Sequence, residues 1–397
     1  MKREFVHTSE SVTEGHPDKL CDQISDALVD RFLESDPKSR IIAECAVSSS
    51  IVFIAARFSS EAKVDFPNVA RKVIRRVGYM DQELNFKTCS VLTSLKEMDP
   101  DQTLSFDEAL LTDKDIENMP AMDQVTLFGF ACRQSPELMP LPITLAHKLS
   151  RRLTTVRKDG TMPYLAPDGT TQVGVEYREG KPYRIHSLTI NASQSDRQIP
   201  KPKVLQEEIL YKIVDHVFEN ESVRPDADTR LFINPYGALK LGGPSSHSGL
   251  TGRKNALDTY GGYSRNSGAA LSGKDPLRID RVGSYAARYA AKNVVAAGLA
   301  EECEVILSYS IGLASPVSIQ VETRGTGIIE DTEIARKIER CFDFRLGGII
   351  RKFSLRLLPS MTKGGFYRKL AVFGHFGRND IRLPWEMTDK IEELVSA

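Results

Sequence analysis

Residues 8–32 read TSESVTEGHPDKLCDQISDALVDRF, and the second half of this stretch is periodic. Leu20, Ile24, Ala27, Leu28 and Phe32 recur at helical spacing, so a helix begins after His16-Pro17-Asp18-Lys19. Ser35-Asp36-Pro37 ends it, because proline cannot continue a helix. Two β-rich segments follow, Arg40–Val47 and Ile51–Phe58, joined by the polar Ser48-Ser49-Ser50, and they read as a hairpin. A loop, a helix and then a hairpin is not the start of a βαβ rhythm. The expected fold class is therefore α+β rather than one doubly wound sheet.

The same mixture continues outward from there. A helix over about Asn68–Val77 leads into a polar region, Lys96 to Asp115, that reads as a boundary or a mobile loop. Beyond Met119 come a helix at Ile143–Arg152, a strand pair around Gln172–Tyr177 and Tyr183–Asn191, and an amphipathic helix at Val204–Phe218. The last section opens with a strand, Arg230–Asn234, and nine of the 27 glycines then fall between Tyr236 and Gly273. That density marks backbone shaped to approach something closely. An alanine-rich helix at Arg281–Ala297 and a strand at Cys303–Ser310 follow, with no internal repeat and no low-complexity segment.

A chain of 397 residues exceeds one ordinary core and implies two or three domains. Hydrophobic residues at 41% and charged residues at 27% give a soluble globular mixture. Lys+Arg and Asp+Glu are both 53, so no net charge favours bulk binding to nucleic acid or to a membrane. The six cysteines have no metal-ligand spacing and read as reduced thiols, and no apolar stretch near the N-terminus makes a signal peptide. The expected location is cytoplasmic.

His16-Pro17-Asp18-Lys19 is the densest chemical cluster. A helix start suits an anion, histidine can donate to a leaving oxygen, a carboxylate can hold Mg²⁺, and lysine can neutralise phosphate. Taken alone, the tetrapeptide would more simply cap a surface helix. It is accompanied by Gly249-Leu250-Thr251-Gly252-Arg253-Lys254 and by Gly268-Ala269-Ala270-Leu271-Ser272-Gly273-Lys274-Asp275, with Arg278 and Asp280 close behind. Glycine lets backbone come near, Arg253, Lys254 and Lys274 can meet phosphate oxygens, and Asp280 can share a metal with Asp18. The bland alternative for each cation is a solvated surface charge. The second stretch also nearly fits G-x-x-x-x-G-K-[ST]. Asp275 stands where a hydroxyl is required, however, and polar Tyr260–Ser267 replaces the buried strand, so a P-loop NTPase is disfavoured.

Thr8–Lys19 resembles the opening motif of the S-adenosylmethionine synthetases, or methionine adenosyltransferases. Gly249–Lys254, Asp258-Thr259-Tyr260-Gly261-Gly262 and Ser272-Gly273-Lys274-Asp275-Pro276 are similar to that family's C-terminal motifs. The likeness runs collinearly through Tyr285-Ala286-Ala287-Arg288-Tyr289 to Gly374-His375-Phe376-Gly377-Arg378. It implies three similar α+β domains related by approximate threefold symmetry, here over 1–104, 119–241 and 242–397. It implies a homo-oligomer, dimer or tetramer, whose site lies between subunits. It also implies synthesis of S-adenosylmethionine from ATP and methionine, with the triphosphate cleaved to phosphate and diphosphate. By motif position His16, Arg253, Lys254 and Lys274 are catalytic, and Lys19, Asp168 and Ala270 join them at ATP. Asp18 and Asp280 hold Mg²⁺, Glu44 matches a K⁺ ligand, and Asp123 matches a carboxylate near the methionine amino group.

The departures from the family pattern gather on the amino-acid side. Arg57 stands where a glutamate meets methionine, Met98 where a glutamine helps, His247 where an aspartate is expected, and Arg278 where a lysine is usual. Thr170 replaces a phosphate-reaching lysine, Leu239 replaces an aromatic, and Pro120-Ala121-Met122-Asp123-Gln124-Val125 has lost the glycines of a loop. The alternative is a relative that keeps triphosphate chemistry with another nucleophile, or a regulatory subunit. Retention of so many triphosphate ligands favours the synthetase.

Overall fold

His16 caps the first long helix, α1 (Pro17–Ser35), its Nδ1 accepting from the Asp18 amide at 3.3 Å. In the computed structural model, which describes residues 4–80, 84–99, 107–195, 199–238 and 242–397, Leu20, Ile24, Leu28 and Phe32 of α1 are fully buried. Each such side chain contributes roughly 1.5–3 kcal/mol by leaving water. The helix packs on the hairpin that follows it, β2 (Arg40–Ser48) and β3 (Ile51–Ser59).

With β1 (Glu4–Val12), the remaining strands are β4 (Ser90–Glu97), β5 (Val125–Cys132), β6 (Leu165–Arg178), β7 (Lys181–Gln194), β8 (Arg230–Ile233), β9 (Gly249–Leu250), β10 (Glu302–Tyr309) and β11 (Ser318–Glu322). They form three sheets, ordered β4-β3-β2-β9, β1-β6-β7-β8 and β11-β10-β5. One long helix lies against each: α1 on the first, Leu141–Lys158 on the second and Ile279–Ala296 on the third. Three sheet-and-helix layers of α+β type are what the resemblance implies.

The layers interlock. The N-terminal strand β1 pairs antiparallel with β6, β5 pairs with β10, and β9, from the last section, pairs with β2. Each sheet thus takes one strand from a different section of the chain. Close approach between sections is possible because certain glycines carry no side chain. A Cβ on Gly249 would lie 2.2 Å from the Pro17 backbone, and one on Gly15 would lie 2.3 Å from that of Pro167.

The sequence misjudged lengths more than identities. The helix expected at Ile143–Arg152 runs Leu141–Lys158. The one expected at Val204–Phe218 is α-helical over Pro202–Ile209 and π-helical over Leu210–Asp215, for which the sequence offers no reason. Of the polar stretch 96–115, residues 100–106 lie outside the described residues, and Asp113–Glu117 is a short helix closed by a Thr112–Asp115 capping box. The cysteines are unpaired, all buried except the half-buried Cys341. Among the described residues no helix is long and apolar enough to cross a membrane.

Candidate active site

Asp18, Asp22, Asp26 and Asp30 fall four residues apart on α1, one above another on a single face. All four are buried, and each receives backbone N–H groups from beyond residue 249. Asp18 Oδ1 accepts from Leu250 (3.0 Å), Asp22 Oδ1 from Gly252 (2.8 Å) and Asp26 Oδ1 from Gly273 (2.8 Å). The Asp30 carboxylate accepts from Phe366, Tyr367 and Arg368 at 2.8–2.9 Å. This ladder of carboxylates fixes both glycine-rich loops against the start of α1. The sequence reading singled out Asp18 and missed the other three, although their four-residue period was visible.

At the top of the ladder His16, Asp18, Asp168, His247, Arg253 and Lys254 meet. The His16 and His247 rings lie 4.9 Å apart between centroids. Burial holds the His16 imidazole down to about 4, with Asp168 pulling against it and Lys254 reinforcing it, so the ring is neutral at pH 7. Its Nδ1 accepts the Asp18 amide, which leaves the proton on Nε2 as a donor. His247 is shifted the other way, chiefly by the Asp168 carboxylate, whose Oδ2 lies 3.6 Å from Nε2. Asp168 Oδ2 also accepts from the Gly243 amide at 2.8 Å, while its buried Oδ1 has no hydrogen-bond partner among the described residues. Arg253 stands 3.7 Å from Asp18 Oδ1 with 56% of its side chain exposed, and Lys254 lies 3.6 Å from Glu10. Ala270 packs against Gly252, where a Cβ would approach it to 2.4 Å. These cations are loosely held and face outward.

A second group lies across the outer face of the β4-β3-β2-β9 sheet. Lys96 is opposite Arg57, Arg57 opposite Ile42, and Ile42 bridges to Lys274, so the three cations share one row. Arg57 is exposed, with no carboxylate at ion-pair distance among the described residues. Lys274 Nζ donates to Asp280 Oδ2 at 2.5 Å, and Arg278 lies 3.4 Å from Asp123. Met98 sits at the end of β4, its amide donating to Phe58 O at 2.8 Å. Glu44 is exposed on the same face of β2, one position along from Ile42 towards β9. The structure thus brings together each of two sets, on the loops and on the sheet face. Leu239 lies outside the described residues.

Lys19 is corrected by its surroundings. Only 2% exposed, its ammonium is held between Asp22 (2.9 Å) and Asp258, and these carboxylates occupy the charge that was expected to meet phosphate. Thr170 Oγ1 accepts from Asn191 at 3.1 Å. The P-loop alternative also loses its basis. The Gly273 amide donates to Asp26, Lys274 bridges to a strand, and the Asp275 carboxylate accepts from the Ile41 and Leu277 amides. The loop is stitched to the sheet rather than curled round an anion.

Among the described residues no group of three or more His, Cys, Asp and Glu side chains makes a metal cage. Mg²⁺ seldom needs one, because it binds through one or two carboxylates together with substrate phosphates. Asp18 and Asp280 each stand beside a cation that a phosphate would also attract.

Family models cover nearly the whole chain in order: the S-adenosylmethionine synthetase N-terminal domain over residues 4–100, the central domain over 118–239 and the C-terminal domain over 241–387. The S-adenosylmethionine synthase of Synechococcus sp. (strain JA-2-3B'a(2-13)) is 49% identical, over 97% of this chain and 96% of its own. Those of Trichodesmium erythraeum and Crocosphaera subtropica are 45% and 46% identical, each over all of this chain and 98% and 99% of their own. An α+β chain of three interlocked layers, with His16, Asp18, Arg253 and Lys254 gathered at one helix start, belongs to the S-adenosylmethionine synthetase family.

Proposed function

We propose that this chain makes S-adenosylmethionine from ATP and methionine. The methionine sulfur attacks C5′, the C5′–O bond breaks, and its electron pair passes to the triphosphate, which water then cleaves to phosphate and diphosphate. The observation that carries the reading is the neutral, buried His16 set among outward-facing cations at the tip of α1. A histidine protonated only on Nε2 can donate to the departing oxygen as charge develops there, without binding the substrate state more tightly. Arg253, Lys254 and Lys274 receive the triphosphate charge, and the open Oδ1 of Asp168 can accept a hydroxyl or amino proton of the nucleoside. Asp18 and Asp280 would hold Mg²⁺, which neutralises phosphate charge when bound, and Glu44 would hold K⁺.

The outer face of the β4-β3-β2-β9 sheet supports a homo-oligomer. Ile51, Phe53, Leu92 and Leu250 leave 42–55% of their surface exposed there, beside Glu44 and Arg57. A second copy of the chain, in a dimer or tetramer, would cover this patch and complete the amino-acid end of the site. Asp123, Arg278, Met98 and Arg57 are the residues placed to select that substrate. Incubation with ATP, Mg²⁺ and K⁺, with and without methionine, followed by mass analysis, tests the function. Methionine-dependent S-adenosylmethionine is expected, and ATP cleavage without it, or no turnover, overturns the reading. Sedimentation of a fully active monomer would remove the oligomer.

A further inference from the structure

Away from these residues, a cavity of about 750 Å³ opens between the loop that precedes α1, the helix Leu141–Lys158 and the segment 358–382. Six cations line it against two carboxylates. Both carboxylates are already engaged: Glu14 by Arg157 (2.7 Å) and Lys158 (2.6 Å), Asp380 by Arg378 (2.7 Å) and Arg151 (2.9 Å). Lys363, Arg368, Lys369 and Arg382 remain, with no carboxylate at ion-pair distance among the described residues. Among the described residues the Arg368 guanidinium donates to Gly364 O (3.1 Å) and the Lys369 ammonium to Lys363 O (3.0 Å), and both residues are half-buried. Burial first, and then the neighbouring cations, hold both below their ordinary values. Arg76 is one of those neighbours and lines the adjoining hollow with Arg368.

Asp30 acts on both Arg368 and Lys369 from a distance, with Glu14 on Arg368 and Asp380 on Lys369, but none of these carboxylates is at ion-pair distance. Cations crowded into such a concavity repel one another, and a multiply charged anion removes that repulsion. Arginine and lysine together suit phosphate: a planar fork for paired oxygens and compact point charges beside it. Leu358, Met361 and Phe373 add an apolar part to the lining, which can take an organic group. The volume is that of a small-molecule site. We propose that this cavity binds an oligophosphate, inorganic or attached to a nucleoside, at a second site separate from His16. Glu14 lies in its wall two residues before His16, so an occupant would touch the loop that positions that histidine.

The test is calorimetric titration of tripolyphosphate into the full-length protein carrying Arg253→Ala and Lys254→Ala, which weakens phosphate binding at the His16 end. Saturable binding near one per chain is expected to remain. Adding Lys369→Gln and Arg382→Gln should then weaken it about tenfold or more. Both side chains reach solvent, and an unchanged circular dichroism spectrum confirms that the variant has folded. ATP and pyrophosphate titrated in parallel separate the sources: tighter ATP assigns a nucleoside ligand to the apolar part of the lining, and equal affinities assign an inorganic one. No saturable binding in the Arg253→Ala, Lys254→Ala protein, or binding that Lys369→Gln and Arg382→Gln leave unaltered, overturns the proposal. Neither result bears on S-adenosylmethionine synthesis, which is read from the unaltered chain.

Discussion

Two stretches of α1 use the same residue at the same spacing for opposite ends. In the interior, Asp26 meets Arg281 through two bonds of 2.8 and 2.9 Å, and both side chains are fully buried. At the tip, Asp18 faces Arg253 across 3.7 Å, with the arginine more than half exposed. A tight, dry pair cannot exchange its partner for a ligand, whereas a loose, wet one can. Both carboxylates are buried and both hold a loop. It is therefore the exposure of the arginine partner, not the residue type, that separates the fixed pair from the exchangeable one.

The comparison breaks most readily at Asp26. Asp26→Ala leaves the Arg281 guanidinium buried without its counter-charge, a loss of about 3–5 kcal/mol on denaturant unfolding. A loss below about 1 kcal/mol would mean that the interior pair is as dispensable as a surface one. At the tip the reverse holds. His16→Ala should lower kcat on the order of 10²-fold or more, with the KM for ATP and the melting temperature nearly unchanged. Near-normal turnover would reduce His16 to a helix cap.

Asp30 sharpens the comparison through pH. Burial raises its carboxyl to about 7, against three backbone N–H groups that pull it down. The unfolded value is about 3.9. Between these values the folded state binds the proton and the unfolded state does not, so this group's contribution is full below about pH 4 and is lost as pH rises towards 7. Asp30→Asn should flatten that part of the stability-against-pH curve, and urea midpoints measured from pH 4 to 8 would show it. An identical slope in the variant would contradict the assignment. The smallest effect is expected on the sheet face. Arg57→Glu should change the KM for methionine by on the order of tenfold, about 1.4 kcal/mol, with that for ATP constant. If neither moves, Arg57 takes no part in selecting the amino acid.

Much of this was legible beforehand. The periodicity after Lys19 gave α1, and the β-rich segments Arg40–Val47 and Ile51–Phe58 with their polar serine joint gave a hairpin whose register sets Arg57 beside Ile42. The loops carrying Arg253 and Lys274 stood out by their glycines and charges. What could not be read was which charges would be spent internally. Lys19 and Lys254 look alike in sequence, but Asp22 and Asp258 reach only the first, and the Asp258 contact joins residues more than 200 apart. The cations of the 358–382 segment escaped for a related reason: an unpaired lysine is unremarkable until the fold sets several of them round one hollow.

The exchange of strands between sections has a consequence in time. Residues 4–12 leave the ribosome well before 170–178, their only strand partner among the described residues. At about 5–20 residues per second, that partner follows roughly ten to thirty seconds later. Throughout that interval β1 has no neighbour on either side, and an unpaired strand is a template for the wrong chain. Its sequence, EFVHTSESV, alternates a few apolar residues with charged and hydroxyl side chains rather than presenting a continuous apolar run. A segment that must wait for its partner gains by being soluble while it waits.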